Sequence, residues 1–252
     1  MAWWWPVPHG GPAPKLQYMQ ITRMNPKKKA RRSQSRVVAT AHTPKGLRAA
    51  ALLKPSQVGY VEVRLDALAA HRPRLGRALA SIRVPPLLTA RHPLEGGVGR
   101  LGSAERRGLL EEFLLRAGAI DVELRSVSPM TSVLDAARRR RITRVISFHD
   151  FRRTPDLTRL RGIALRSVRA GADIVKIATF LRSPRDLATL LLLQSTSKVP
   201  LATMGMGPLG KVSRLVLATA GSRLNYGYLD RPQVAGQWPA LELVQQLEEI
   251  MP

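Results

Sequence analysis

Gly171-Ala172-Asp173-Ile174-Val175-Lys176-Ile177-Ala178 decides how the rest of this chain is read. It is a short run of apolar and β-branched residues, the length of a buried strand, interrupted by one lysine. Gly171 stands where a helix ends in a left-handed cap. Downstream, Ser183-Pro184-Arg185-Asp186 opens a helix, with a capping serine, proline at the first position and an acid in the first turn. The segment Asp173–Ile177 is therefore a strand between two helices, Asp156–Ala170 and Ser183–Gln194.

The same rhythm extends in both directions. Further strands are expected at Val37–Thr40, Tyr60–Leu65, Pro86–Ala90, Ile120–Leu124, Arg144–Phe148, Leu201–Met204 and Arg223–Tyr226. Helical patterns fall at Ala104–Arg116, Thr131–Arg139, Lys211–Thr219 and Ala240–Ile250. Strands alternating with helices predict an α/β fold, and eight of them fit a single-domain (β/α)8 barrel spanning residues 36–252. A doubly wound sheet would carry a glycine-rich phosphate loop after its first strand. Here Ala41-His42-Thr43-Pro44 follows instead. In a barrel the chemistry belongs at the C-terminal ends of the strands.

Composition narrows the classes. The 252 residues contain no cysteine, which removes disulfides, thiolate metal sites and a cysteine nucleophile. Hydrophobic residues make up 44%, enough for a core, and no apolar run approaches the roughly 18 residues of a membrane helix. The 41 Lys and Arg against 17 Asp and Glu give a net charge of +24. That invites a nucleic-acid reading. The basic residues are nevertheless spread along the chain, dense only at Lys27–Arg32 and Arg138–Arg141, and aromatics are a sparse 5%. Nucleic acid is thus the less favoured partner. Residues 1–35 differ from the rest: Trp3-Trp4-Trp5, several Pro and Gly, a basic stretch and no acid. They read as a disordered or loosely attached extension without a secretory signal, with Met19 or Met24 as the expected translation start.

Polar residues mark the strand ends. Glu62 and Arg64 have i, i+2 spacing, share one face of their strand, and are expected to pair inside the barrel. Arg91 and Glu95-Gly96-Gly97 follow the third strand, and His149 follows the fifth. Lys176, buried and close to arginines, would have a lowered pKa and could attack a carbonyl to form a Schiff base. A glycine loop from Gly205 to Gly210 precedes Arg214, a residue type that grips anions bidentately. Gln237 lies in a loop fit to act as a lid.

In this order the motifs resemble the type I 3-dehydroquinate dehydratases. The pieces are Val61-Glu62-Val63-Arg64-Leu65-Asp66, Arg91 with Glu95-Gly96-Gly97, Ser147-Phe148-His149-Asp150-Phe151, the Lys176 strand, Met206-Gly207 through Ser213-Arg214, and Gly236-Gln237. The resemblance implies a lyase that dehydrates 3-dehydroquinate without metal or cofactor. It implies Lys176 as the Schiff-base lysine, His149 as acid and base, and Glu95 as its orienting partner. Arg214 is implied as the carboxylate anchor, with Glu62, Arg64, Arg91, Gln237 and Thr40 about the substrate. It further implies a homodimer; the lack of a membrane-length apolar run leads to the expectation of no membrane association, and the lack of cysteines and of an export signal to that of a cytoplasmic setting. The sequence departs from the family pattern at Gln233 and Gly205, where the family commonly has serine, while Thr40 keeps a hydroxyl in place of another. Another Schiff-base barrel lyase or aldolase shares Lys176 but not the need for His149 and Glu95 together. A basic nucleic-acid-associated protein with an inactive barrel is the alternative from a different class.

Overall fold

The computed structural model describes residues 37–251. The expectations for residues 1–35 and for the translation start lie outside the described residues.

Strands and helices alternate: β1 (Val37–Ala41), α1 (Pro44–Leu52), β2 (Tyr60–Arg64), α2 (Arg72–Ser81), β3 (Pro86–Thr89), α3 (Ser103–Phe113), β4 (Ala119–Glu123) and α4 (Thr131–Arg139). They continue with β5 (Thr143–Asp150), α5 (Leu157–Arg169), β6 (Ile174–Phe180), α6 (Pro184–Thr196), β7 (Leu201–Met206), α7 (Gly210–Thr219) and β8 (Asn225–Tyr228). A two-residue strand β9 (Trp238–Pro239) and α8 (Ala240–Ile250) close the chain. All pairings are parallel, in the order β7-β6-β5-β4-β3-β2-β1-β8-β9. One backbone bond, from Arg223 N–H to the Leu201 carbonyl at 2.7 Å, bridges β7 and the approach to β8 and closes the barrel.

Two shells of burial follow from the strand period of two. Val37, Ala39 and Ala41 face outward and pack with Leu47, Leu243 and Leu247 of the surrounding helices. Val38, Leu87, Ala119, Val145 and Ala202 share a separate buried cluster inside the barrel, together with Tyr226. That dry floor carries a polar layer above it. Register sets Thr40 beside Glu62 and Ser147 beside Lys176.

The helix ends behave as their residues dictate. Asp186 accepts the Ser183 N–H at 3.1 Å at the start of α6. Gly171 ends α5 with φ +90. Four strands have boundaries displaced by two residues or more, β7 among them, which runs on to Met206. β5 extends through Asp150, so His149 lies within the strand; β6 runs to Phe180, which places Lys176 in its middle; β8 starts two residues later than expected. In β5 the expected strand stopped where the apolar run gave way to His149 and Asp150, whereas the ladder to β6 continues through both.

Candidate active site

The C-terminal ends of the strands surround a cavity of about 320 Å³. All nine residues singled out in the sequence line it: Thr40, Glu62, Arg64, Arg91, Glu95, His149, Lys176, Arg214 and Gln237.

Lys176 is at the centre. Its side chain is only 5% exposed. The Nζ lies 3.0 Å from Asp121 Oδ2, 4.0 Å from Glu62 Oε1 and 3.9 Å above the ring centre of Tyr226. Burial lowers its pKa below the usual lysine value; the Asp121 carboxylate opposes this and the Arg91 guanidinium adds to it. The ring face and both carboxylates favour a positive nitrogen, so the site suits an amine that gives up a proton and then becomes cationic again.

Asp121 is the anionic hub. It takes a two-pronged ion pair from Arg91, 2.9 Å on each side, accepts the Ser147 hydroxyl at 2.6 Å, and accepts from Lys176. Burial alone would raise its pKa, but the Arg91 and Lys176 charges outweigh that and hold the carboxyl far below the usual range. It stays ionised.

His149 faces Glu95. One carboxylate oxygen of Glu95 lies 3.0 Å from both the His149 backbone nitrogen and Nδ1. With Nδ1–H donated to Glu95, Nε2 holds the free lone pair. Burial, reinforced by Arg91 and Lys176, pushes the imidazole well below its ordinary pKa, so it is neutral when empty of substrate. Phe151 stacks on it with ring centroids 6.3 Å apart. Burial raises Glu95 to about 7, with the Glu123 charge adding; Arg91 and Arg125 pull the other way. Arg125 Nε sits 3.0 Å from Glu95 Oε1. The tight turn after Glu95 needs glycine, because a Cβ on Gly97 would fall 2.3 Å from the Arg91 carbonyl oxygen.

Glu62 and Arg64 do share a face, but they do not pair as expected. Glu62 accepts hydroxyls from Thr40 and Thr89, each at 2.9 Å, while Arg64 forms a fork with Asp66 at 2.9 and 2.8 Å and donates to the Gly96 carbonyl. The physical reason is supply: two threonines and Arg91 already satisfy Glu62, and Asp66 is two residues from Arg64. Arg91 likewise turns its Nη groups toward Asp121, Glu123 and Ser147.

Arg214 is 1% exposed and carries no acidic partner among the described residues. Its Nε donates to the Tyr226 carbonyl and Nη1 to those of Gly205, Gly210 and Gly236, at 2.7–3.0 Å. Burial alone lowers its pKa to about 10. Nη2 makes no hydrogen bond with a described residue, and the side chain borders the cavity. An uncompensated guanidinium of this kind awaits an anion. Gly205, one of the departures from the family pattern, has no room for a side chain: a Cβ would lie 2.2 Å from Leu181 Cδ1 and 2.7 Å from Ser213 Oγ. At the lid, Gln237 Oε1 accepts the Gln233 N–H at 2.7 Å, a bond of backbone origin that any residue at 233 can make.

The sequence reading passed over Asp121, Glu123 and Tyr226. The first two had a signal: Ala119-Ile120-Asp121-Val122-Glu123 places two acids at i, i+2 in an apolar strand, the spacing already used for Glu62 and Arg64. Tyr226 had none. Among the described residues no group of His, Asp and Glu is placed to hold a metal ion. The arrangement offers a buried amine, a neutral imidazole with an orienting carboxylate, and an anion anchor, the parts for imine chemistry on a ketone that also bears a carboxylate.

A family model described as Type I 3-dehydroquinase matches residues 36–251. A 3-dehydroquinate dehydratase of Methanocella arvoryzae is 36% identical over 178 residues, covering 70% of this chain and 80% of the relative. One from Methanothrix thermoacetophila is 37% identical over 185 residues, with coverage of 73% and 78%. The crystal structure of a Clostridium difficile type I 3-dehydroquinate dehydratase with covalently modified comenic acid superposes with a TM-score of 0.76 at 25% identity. The match covers 86% of this chain and 92% of that one.

Proposed function

The chain belongs to the type I 3-dehydroquinase family, and from that premise we propose that it dehydrates 3-dehydroquinate to 3-dehydroshikimate, a hydro-lyase reaction of the shikimate pathway, through an imine on Lys176. The observation that carries this is the buried Lys176 nitrogen 3.0 Å from an ionised Asp121, in the cavity that also holds the His149–Glu95 pair and Arg214, which has no acidic partner among the described residues.

The substrate's carboxylate meets Arg214, which places its ring against Lys176. The ammonium passes a proton to His149, the neutral amine attacks the C3 ketone, and the carbinolamine hydroxyl leaves as water with the proton that His149 returns, giving a protonated imine. That cation keeps the place of the ammonium, beside Asp121 and over Tyr226, so the charge that makes it an electron sink is already compensated. His149 Nε2 takes a C2 proton. The C–H electron pair forms the C2–C3 double bond of an enamine, and the imine nitrogen gains a lone pair. The enamine then expels the C1 hydroxyl, which leaves as water with the proton that His149 returns. Hydrolysis of the imine consumes the water lost at its formation and frees Lys176. The net change is one substrate to one product and one water. Glu95 keeps the imidazole in the tautomer with Nε2 free and supports the imidazolium once it forms.

Following the conjugated enone by ultraviolet absorbance tests the reading. Wild type should form product, and Lys176→Ala should not; product formation by Lys176→Ala at the wild-type rate would refute it. The homodimer rests on the resemblance and is read by sedimentation velocity; the cytoplasmic setting rests on the lack of cysteines and of an export signal in the sequence. Among the described residues no helix is long and apolar enough to cross a membrane.

A further inference from the structure

The end of the barrel opposite the cavity carries a concentration of positive charge that the dehydration does not use. Seven connections run from a helix back into a strand, and every one presents at least one exposed cation, counting from the last helical residue. Six of the connections supply Lys54, Arg83, Arg116, Arg169, Lys198 and Arg223. The seventh, between α4 and β5, supplies Arg139, Arg140 and Arg141, with Arg138 one residue earlier. None of these side chains makes a hydrogen bond or ion pair with a described residue. The acids that face this end are few. Asp173 is already bound by Arg144 at 2.9 Å, Asp135 on α4 also acts on Arg144, and Glu248 and Glu249 end α8.

The α4–β5 connection is shaped as well as charged. Arg138, Arg141, Thr143, Arg144 and Asp173 line a cavity of about 320 Å³. Arg141 sits in the left-handed region, φ +58, the one non-glycine residue to do so among those described. At the equivalent position two residues past the end of α5 and of α7 the chain uses glycine, Gly171 at φ +90 and Gly221 at φ +96. A side chain there costs backbone energy that glycine avoids. The arginine is therefore worse for the fold than the residue used at both sister caps, and it adds a fourth unpaired guanidinium in a row.

We propose that this N-terminal end of the barrel is a docking face for the phosphate backbone of duplex nucleic acid, bound without regard to sequence. Unpaired arginines suit phosphate oxygens, which accept their fork of donors. The one aromatic residue in the seven connections, Phe113, is buried in the core, so unstacked bases find no platform there, and the duplex backbone is favoured over a single strand. The catalytic mouth, at the other end of the strands, stays open while the duplex is held.

The experiment uses the full chain and a fluorescein-labelled 20-base-pair DNA duplex, with binding followed by anisotropy across a salt series, and dehydration measured on the same samples. Wild type should bind at 50 mM NaCl and lose affinity steeply with salt. The triple variant Arg138→Gln/Arg140→Gln/Arg141→Gln should bind about tenfold or more weakly, with the slope of log K against log salt smaller by about 2 to 3. Its dehydration rate should stay unchanged, which also reports that it is folded. The control Arg48→Gln/Arg74→Gln/Arg77→Gln removes the same charge from exposed positions on α1 and α2 and should keep binding within about twofold. Arg141→Gly should raise the melting temperature while weakening the duplex, separating recognition from folding. Absent wild-type binding, equal loss in the two triple variants, or displacement of the duplex by saturating substrate would each overturn the proposal, whether or not the dehydration itself is observed.

Discussion

Replacing Arg214 with glutamine removes the guanidinium charge but leaves a donor. This guanidinium is 1% exposed, bonded only to carbonyls, and lowered by burial from the ordinary arginine value to about 10. At 1.36 kcal/mol per pKa unit, keeping the charge buried without a counter-ion costs on the order of 3 kcal/mol. A substrate carboxylate about 4 Å away gains roughly 4 kcal/mol at an effective dielectric near 20, part of which its own desolvation takes back. A net loss of about 2–4 kcal/mol is therefore expected for Arg214→Gln, or roughly 30- to 1000-fold in kcat/KM. The carboxylate is the same in substrate and transition state, so the loss should fall on KM with kcat nearly intact. Steady-state kinetics on wild type and variant, with thermal melts as the folding control, read this directly. A folded variant with unchanged KM and a reduced kcat would show that the carboxylate binds elsewhere and that Arg214 serves the reaction itself.

Three further outcomes follow from the same geometry. Because Glu95 must be ionised to hold the imidazole and titrates at about 7, kcat/KM should climb with pH up to about 7 and level above it. Arg125→Gln, removing a cation that lowers Glu95, should move that limb upward by a few tenths of a unit to about one, Arg125 being half in water. A limb that stays put would detach Glu95 from it. The sign for stability is opposite: the folded state holds the Glu95 proton that the unfolded chain releases near 4.5, so this group weakens the fold as pH rises from there to about 7. Tyr226→Phe keeps the ring under Lys176 but deletes a buried hydroxyl that has no hydrogen-bond partner among the described residues, and should stabilise the protein by about 1–3 kcal/mol with activity within a few-fold; a lower melting temperature would mean that the hydroxyl is bonded. Gly205→Ser forces an atom onto Leu181 and Ser213, and should cost about 1–3 kcal/mol in unfolding by denaturant, while an unchanged midpoint would show that Leu181 yields freely.

The barrel was legible because buried parallel strands announce themselves as apolar runs between helix signals, and Lys176 stood out because nothing apolar explains it. Strand ends were not legible: the polar residues that continue β5 through His149 and Asp150 look like loop until the neighbouring strands are known. Pairing was harder still. Glu62 and Arg64 are adjacent on one face, yet each has a better partner brought in by another strand or by the next turn. Asp121 was within reach of the spacing rule applied to Glu62 but lay in a strand read for its hydrophobicity. The lone charge of Arg214 depends on carbonyls from β7, β8, the start of α7 and the Gly236 loop, and on the absence of an acidic partner among the described residues, which only the assembled fold can reveal. Gly205 looked like a lost hydroxyl; packing against Leu181 explains it.

Borohydride reduction in the presence of 3-dehydroquinate, followed by mass analysis of the peptides, tests the covalent step without relying on turnover. A ligand-derived mass increment confined to the peptide bearing Lys176 is the predicted result, and it should vanish in Lys176→Ala. An increment on Lys45, Lys54, Lys198 or Lys211 instead, or none while product still forms, would contradict an imine at Lys176.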